Sequence, residues 1–507
     1  MGQKEIKNVA PSFYEKPRIM EKRKIIGLFL GPLLFLVTYL SPILSQNPKA
    51  HRLLAVFFLV IIWWVTECIP IPITALLIPV FITIFQISSI HEALSPFANP
   101  IIMLFLGSFI LARAMCVHSL DRKLAYSVLS LKSVKHSQTR VLFAFGLLSL
   151  FLSMWISNTA TTAMMYPIAM GVLASFHHKE EGKGLSFKVI LLLTLAYSAS
   201  IGGIGTPIGS PPNLIAIGML EKLAGYKIDF FQWMIIGFII LIPMYACLFF
   251  FMKHKLKKHG FTHKTLKIDS IDKSQTFRTL TRPQKNVLIA FSVTVFLWTF
   301  PGIISLALGR AHPLSLWLQQ HIPESAAALI GAGLLFLLPV DLSKGRFTIT
   351  LRDAMNIDWG TLLLFGGGLT LGFHMFETGL ADIIGNYFIS LGGEHAGAAL
   401  ITFIAIVFSV LLTEVTSNTA SANMIIPIII ALSHAASINP LIPVLGSALG
   451  CSFAFLLPVA TPPNAIVYGS GMIKLPQMIK VGFWLEVIGV FVIWSCLCLI
   501  SLVFNII

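Results

Sequence analysis

The sequence has 507 residues, of which 56% are hydrophobic and only 11% charged, with a mean hydropathy of +0.85 and a formal net charge of +15. A soluble interior could not hide that much apolar surface behind so few charges, and several stretches run about 18 residues or more without a charge, enough to cross a bilayer as helix. These figures exclude a soluble enzyme, a disordered chain and a secreted disulfide scaffold. They describe an all-α polytopic membrane protein.

Residues 1–24 are polar, carry 7 of the 36 Lys and Arg, and predict a cytoplasmic N-terminal segment. The apolar run from Ile25 to Leu44 lacks a small-residue cleavage site and reads as a retained first span. Further spans are expected at 52–67, 70–90, 99–118, 187–220, 229–252, 286–307, 323–340, 358–380, 440–473 and 478–505. Residues 253–285 hold 10 Lys and Arg and predict a basic cytoplasmic loop touching lipid head groups, with no nucleic-acid role. Residues 141–176 and 396–434 are too long for one span, and each has a polar knot at its middle. Both are expected to be re-entrant hairpins, because non-helical backbone is tolerated at membrane depth where protein or water satisfies it. The expected architecture is about eleven transmembrane helices plus two hairpins. The scaffold helices and a first repeat lie within 25–252, and a second repeat lies within 286–507.

Sidedness supports that count. With the hairpins not crossing, the outer loops hold only Lys49, Arg52, Lys222, Lys227 and Arg310, and Arg113 falls within a span. The N-terminus is then cytoplasmic and the C-terminus outside. No N-x-S/T sequon occurs, which tilts the location towards a bacterial inner membrane. The six cysteines are scattered through apolar segments and read as packing residues. His254, His259 and His263 have no carboxylate in register to make a metal site.

An internal repeat follows from the motifs. Trp155-Ile-Ser-Asn-Thr-Ala-Thr-Thr-Ala-Met-Met-Tyr-Pro167 matches Val415-Thr-Ser-Asn-Thr-Ala-Ser-Ala-Asn-Met-Ile-Ile-Pro427, offset by 260. Gly209-Ser-Pro-Pro-Asn213 matches Ala460-Thr-Pro-Pro-Asn464, offset by 251, and Phe105-Leu-Gly107 resembles Leu364-Phe-Gly366. Both copies keep the order span, hairpin, broken span. The topology opens the first hairpin to the cytoplasm and the second to the outside, an inverted-topology repeat of the kind that builds secondary transporters.

The chemistry is expected at the knots. Pro207, Pro211 and Pro212, among Gly202, Gly203, Gly205 and Gly209, must unwind their span, as must the Pro458–Asn464 segment. An unwound span offers carbonyl oxygens to a small cation at one half-helix end and N–H groups to an anion at the other. No charged residue occurs in 141–178, 189–220 or 441–473, and only Glu414 does between His395 and Pro440. An anionic substrate therefore meets no Arg or Lys from these segments. Neutral Ser, Thr, Asn and backbone oxygens suit a small cation, which would supply the missing positive charge.

The doubled Ser-Asn-Thr on paired hairpins, each followed by S/T-Pro-Pro-Asn, resembles the divalent-anion:sodium symporter family. The likeness spans nearly the whole chain from about residue 25. It implies transport of C4-dicarboxylates such as succinate, malate or fumarate with sodium as the coupling ion. It also implies scaffold and transport parts, a homodimer and elevator-type motion. By motif position the first sodium site would use Ser153, Ser157, Asn158 and the Gly209 carbonyl. The second would use Thr413, Thr416, Asn418 and the Ala460 carbonyl. Substrate carboxylates would meet Ser157, Asn158, Thr159, Ser417, Asn418, Thr419, Ser210, Thr461 and Pro462. The intact Thr159 and Thr419 resemble dicarboxylate members more than citrate carriers, while sodium-independent exchange and sulfate transport stay open as family alternatives.

Among other acids, Glu67 and Glu414 must face protein or water. Packing and hairpin capping are expected of them ahead of proton coupling. Asp358 and Glu377 are expected near span ends, and Gly366-Gly-Gly368 is expected to allow close helix packing. There is no Walker motif, no catalytic dyad and no other cofactor signature, so neither an ATP-driven pump nor an enzyme is expected. A channel and an oxyanion pump fit the doubled motif less well.

Overall fold

Prolines and polar knots, as much as loops, cut this apolar chain into helices. A computed structural model describes residues 21–129, 137–174, 185–256, 280–392 and 397–503. Residues 1–20, most of the basic loop with His259 and His263, the outer ends of both hairpin segments and the last four residues lie outside them. The first half runs α1 (Lys22–Leu40), α2 (Pro48–Thr66), α3 (Ile71–Ile84), α4 (Ile90–Leu94), α5 (Pro100–Val117) and α6 (Leu120–Leu129). It continues with α7 (Gln138–Ser153), α8 (Asn158–Ala174), α9 (Phe187–Gly202), α10 (Pro211–Ala224) and α11 (Phe230–Lys255). The second half opens with α12 (Arg282–Leu308), α13 (Pro313–His321) and α14 (Glu324–Leu337). After the small hairpin β1 (Pro339–Asp341) and β2 (Arg346–Phe347) come α15 (Leu351–Ala354), α16 (Trp359–Glu377) and α17 (Leu380–Gly392). The chain ends with α18 (Ala398–Val415), α19 (Asn418–Ala435), α20 (Leu441–Gly450), α21 (Pro462–Tyr468) and α22 (Leu475–Val503).

Helix starts follow their sequence signals. Asn47 and Asn99 cap α2 and α5, each with proline at the next position, and Asp229 with Gln232 closes a capping box on α11. Among the described residues, nine helices are long and apolar enough to cross a membrane, and α3, α7, α14 and α20 are shorter apolar helices. Every expected span corresponds to a helix or to two helices in series. The structure adds the short, charge-bearing helices α6 and α17, which follow α5 and α16 at equivalent places in the two halves.

Packing makes the repeat visible in three dimensions. α5 packs on α14 while its equivalent α16 packs on α3; α8 packs on α21 while α19 packs on α10. α7 lies along α9 as α18 lies along α20. Counting crossings from α5 through α9–α10, α11, α12 and α14 to α16 reverses the chain direction, so the second copy is inverted. The halves are therefore interlocked, and α9 is buried along its whole length. Glycine is needed where the interlocking is closest. A Cβ on Gly107 would lie 2.6 Å from the Ala328 backbone, and one on Gly367 would lie 2.6 Å from the Ala75 carbonyl. The Gly366–Gly368 run thus packs helices closely, as expected. Glu67 sits at the end of α2 in a left-handed conformation (φ 51°), ion-paired to Arg23 at 3.5 Å, and so resides at a helix terminus beside α1.

Candidate functional site

Each hairpin turns at its Ser-Asn-Thr. α7 ends at Ser153 and α8 begins at Asn158; α18 ends at Val415 and α19 begins at Asn418. The serine before each asparagine caps the new helix: Ser157 Oγ accepts from Ala160 N and Ser417 Oγ from Ala420 N, both at 3.2 Å. The asparagine, freed from capping, folds back on the first arm of its hairpin. Ser153 donates to Asn158 Oδ1 at 2.6 Å, and Thr413 donates to Asn418 Oδ1 at 2.7 Å. The two tips are copies in geometry as well as sequence.

The broken spans are held by the asparagine of each Pro-Pro-Asn. Asn213 Nδ2 donates to the carbonyls of Gly203 and Thr206, both at 2.8 Å. Asn464 Nδ2 donates to the carbonyls of Ala454 and Leu457, both at 3.0 Å. Each amide thus spans two backbone oxygens that the break releases from helical bonding, which buried backbone requires. Gly203 leaves room for the first tip, because a Cβ there would lie 2.6 Å from Asn158 Oδ1. Gly209 lets the chain pass its own backbone, since a Cβ there would lie 2.6 Å from the Gly203 carbonyl oxygen.

Tips and breaks from both halves meet at one cavity of about 520 Å³. Its wall contains Ser157, Asn158, Thr159, Gly209, Ser210, Ser417, Asn418, Thr419, Ala460, Thr461 and Pro462. The size falls within the range of small-molecule sites, roughly 300–1,000 Å³. Ser153, Thr413 and Thr416 do not reach the wall; all three are buried behind the tips. Thr413 also lies 2.9 Å from the Cys451 carbonyl, whereas the Thr416 hydroxyl is paired with Ser421 and the Leu412 carbonyl rather than with Asn418. Ser210 bridges the two halves through Ser452, 3.1 Å away.

Several contributions to this site were not read from the sequence. Arg113 of α5 lines the cavity and brings it a cation, and its Nε–H has no partner among the described residues. Asp358 also lines it, capping α16 through Thr361, so its place at a helix end is as expected and its place at the cavity is new. Glu414 caps backbone N–H groups, but those of Leu456 and Leu457 in the second broken span rather than of its own hairpin, and Glu486 of α22 does the same for Phe455 and Leu456. Tyr197 of α9 donates to the Phe455 carbonyl at 2.8 Å. None of these could be placed without knowing which helices face each other.

Residues 22–504 match the family model described as the sodium:sulfate symporter transmembrane region. The chain is 34% identical over 480 residues to the sodium-dependent dicarboxylate transporter SdcS of Staphylococcus saprophyticus, covering 93% of this chain and 90% of that protein. It is 35% identical over 494 residues to the protein of the same name in Staphylococcus aureus, covering 94% and 91%. Among solved structures, the YdaH transporter of Alcanivorax borkumensis aligns over 81% of this chain and 86% of its own, with a TM-score of 0.52 at 12% identity. Neisseria gonorrhoeae MtrF aligns over 80% and 83%, with a TM-score of 0.53 at 14% identity. Those two share the fold, and the inverted repeat, the paired hairpins and the full-length match agree: this chain belongs to the sodium:sulfate symporter family of membrane transporters.

Proposed function

We propose that the protein is a secondary active transporter that imports C4-dicarboxylates such as succinate, malate and fumarate together with sodium. One observation carries this: two copies of the same neutral-oxygen constellation, one per inverted repeat, meet at a single cavity sized for a small anion. Sodium binds hard oxygen ligands, and the donors here are hydroxyls, amide carbonyls and backbone carbonyls. The first ion would be held by Ser153, Ser157, Asn158 and the Gly209 carbonyl, and the second by Thr413, Thr416, Asn418 and the Ala460 carbonyl. The donor set fits, though Thr416 must turn from Ser421 to take part.

The substrate carboxylates would then meet the faces of the two tips, Ser157-Asn158-Thr159 and Ser417-Asn418-Thr419, with Ser210, Thr461 and Pro462 beside them. A dicarboxylate brings two negative charges to a cavity whose wall offers one cation, Arg113, and one acid, Asp358. The bound sodium ions balance the remainder, so anion binding requires cation binding. That requirement is the coupling. The names of the staphylococcal relatives support both the cation and the substrate class.

Movement follows from the placement of the sites between inverted copies. Hairpins and broken spans pack mainly on one another and would move together against the remaining helices as an elevator, within a homodimer in the bacterial inner membrane, N-terminus inside and C-terminus outside. The test is labelled succinate uptake into proteoliposomes with sodium gradient, lithium, proton gradient and internal dicarboxylate varied separately. Uptake should need external sodium. Full-rate uptake in choline medium, driven only by internal dicarboxylate, would make the protein an exchanger.

A further inference from the structure

The two broken spans are equivalent, yet their backbones are held by opposite chemistry. In the first, a Cβ on Gly205 would meet Leu241 Cδ1 at 2.9 Å and Met154 Cγ at 3.0 Å, so this backbone lies between two apolar side chains. The offset of 251 carries Gly205 to Leu456, and that of 260 carries Met154 to Glu414. Gly237 lies against the Ile204 carbonyl just as Gly482 lies against the Phe455 carbonyl, and the 245 residues that separate the two glycines carry Leu241 to Glu486. An apolar pair in one repeat is thus a pair of acids in the other.

Both acids are 6% exposed, and neither makes an ion pair among the described residues. Beside them the neutral Tyr197 of α9 donates to the Phe455 carbonyl. Their oxygens meet three consecutive backbone N–H groups. Glu414 Oε1 and Oε2 accept from Leu456 N and Leu457 N, both at 3.0 Å. Glu486 Oε1 accepts from Phe455 N at 2.8 Å and Leu456 N at 3.1 Å. Both Glu414 oxygens are thus taken by N–H donors, whereas Glu486 accepts both of its bonds through Oε1.

The need for the acids is local. The first span continues from α9 into a tight helical turn, Gly203–Gly205, whereas residues 454–457 after α20 lie in no helix. A buried N–H left unmade costs about 1–3 kcal/mol. The same stretch reaches the cavity: the Leu457 carbonyl takes both Asn464 Nδ2 at 3.0 Å and Ala460 N at 3.3 Å. Glu414, Leu457, Ala460 and Asn464 form one chain of hydrogen bonds.

We propose that Glu414 and Glu486 are positioning residues for transport, gripping the N–H groups of Phe455, Leu456 and Leu457 and thereby aiming the Ala460 carbonyl at the second hairpin tip. This rests on the cation-coupled function proposed above. The grip exists only in the second repeat, so the two cation sites respond differently to its loss.

The test compares E486Q, E486L, E414Q and the double variant E414M/E486L, which installs the first repeat's apolar pair. Each is purified and reconstituted, and the sodium concentration for half-maximal succinate uptake is measured alongside the maximal rate and the melting temperature. Glu486 accepts through Oε1 alone and glutamine keeps that acceptor oxygen, so E486Q should stay within about twofold of the wild type. E414Q puts an amide against an N–H donor, and E486L and the double variant leave donors bare. Each should raise half-saturating sodium by about tenfold or more. An E414Q or double variant with wild-type sodium dependence, or an E486Q as impaired as E486L, overturns the positioning role. If the double variant does not fold, the contrast between E486Q and E486L decides alone. Sodium-independent uptake by the wild type would instead remove the cation-coupled function itself, a result that none of the variants can mimic.

Discussion

Replacing Asn158 or Asn418 by alanine strikes both proposed ligands at once. An asparagine offers one carbonyl acceptor and two N–H donors, and alanine offers neither. In the structure Asn158 Oδ1 takes the Ser153 hydroxyl at 2.6 Å, and Asn418 Oδ1 takes the Thr413 hydroxyl at 2.7 Å. The helix starts survive the change, because Ser157 and Ser417 do the capping. Losing the neutral bond costs stability by about 0.5–1.5 kcal/mol, while losing a hydrogen bond to a charged group costs about 1.5–3 kcal/mol. The second figure corresponds to roughly tenfold to a hundredfold or more in apparent affinity. On the proposed function one side chain serves both ligands, so sodium and succinate affinities should weaken together, as reciprocal linkage requires. The assay is half-saturation for each ligand in proteoliposomes, with melting temperature measured on the same preparations. A normal half-saturation for both ligands in either variant removes that asparagine from the site. A lower melting temperature with unchanged affinities makes it a packing residue.

Arg113→Gln should lower apparent succinate affinity several-fold, about 3–10-fold, and flatten its dependence on ionic strength; an unchanged salt response would show that Arg113 does not act on the substrate. Gly203→Ala places a Cβ 2.6 Å from Asn158 Oδ1 and should abolish uptake with a loss of about 1–3 kcal/mol in stability, whereas Gly333→Ala meets no atom of the described residues within 4 Å and should do neither. Equal effects of the two alanines would contradict the close approach. A cysteine at His254 should react only from the cytoplasmic side and one appended after Ile507 only from outside. Labelling of both on one face would require another crossing.

The hairpin tips and broken spans were legible in the sequence because they are polar and proline-rich in charge-free surroundings, where hydrophobic patterning predicts unbroken helix. Their repetition at fixed offsets made the inverted architecture legible too. What could not be read depends on helix neighbours. Arg113 sits in an ordinary-looking span, and only the fold brings α5 to the cavity that the hairpin tips line. Glu486 lies 72 residues beyond Glu414, with nothing in its own surroundings to mark it. The helices α6 and α17 are short and bear charges, so a search for long apolar runs passes over them. Thr416 shows the limit of carrying positions over by motif: it lies off the cavity wall and its hydroxyl points to Ser421.

The asparagines that end each Pro-Pro-Asn test whether the two halves work as copies. Breaking a helix at membrane depth strands carbonyls as well as N–H groups, and each stranded group needs a partner inside the protein. Asn213 answers for Gly203 and Thr206, and Asn464 answers for Ala454 and Leu457. Both side chains are fully buried, and the Oδ1 of each has no partner among the described residues. Alanine at either place deletes two bonds worth roughly 0.5–1.5 kcal/mol each and takes the side-chain donor from the Gly203 or Ala454 carbonyl, while Thr206 and Leu457 keep a backbone donor from Gly209 and Ala460. Aspartate is worse, because it turns a donor into a carboxylate oxygen facing two carbonyl oxygens. Melting temperatures should therefore fall in the order wild type, alanine, aspartate in both halves, with sodium half-saturation rising in parallel. The two alanine variants should be matched, since the geometry is matched, while variants of Glu414 and Glu486 should disturb the second half alone. A damaging Asn464→Ala beside a harmless Asn213→Ala would break the equivalence, and would mean that the first span keeps its shape through its glycine turn without the clamp.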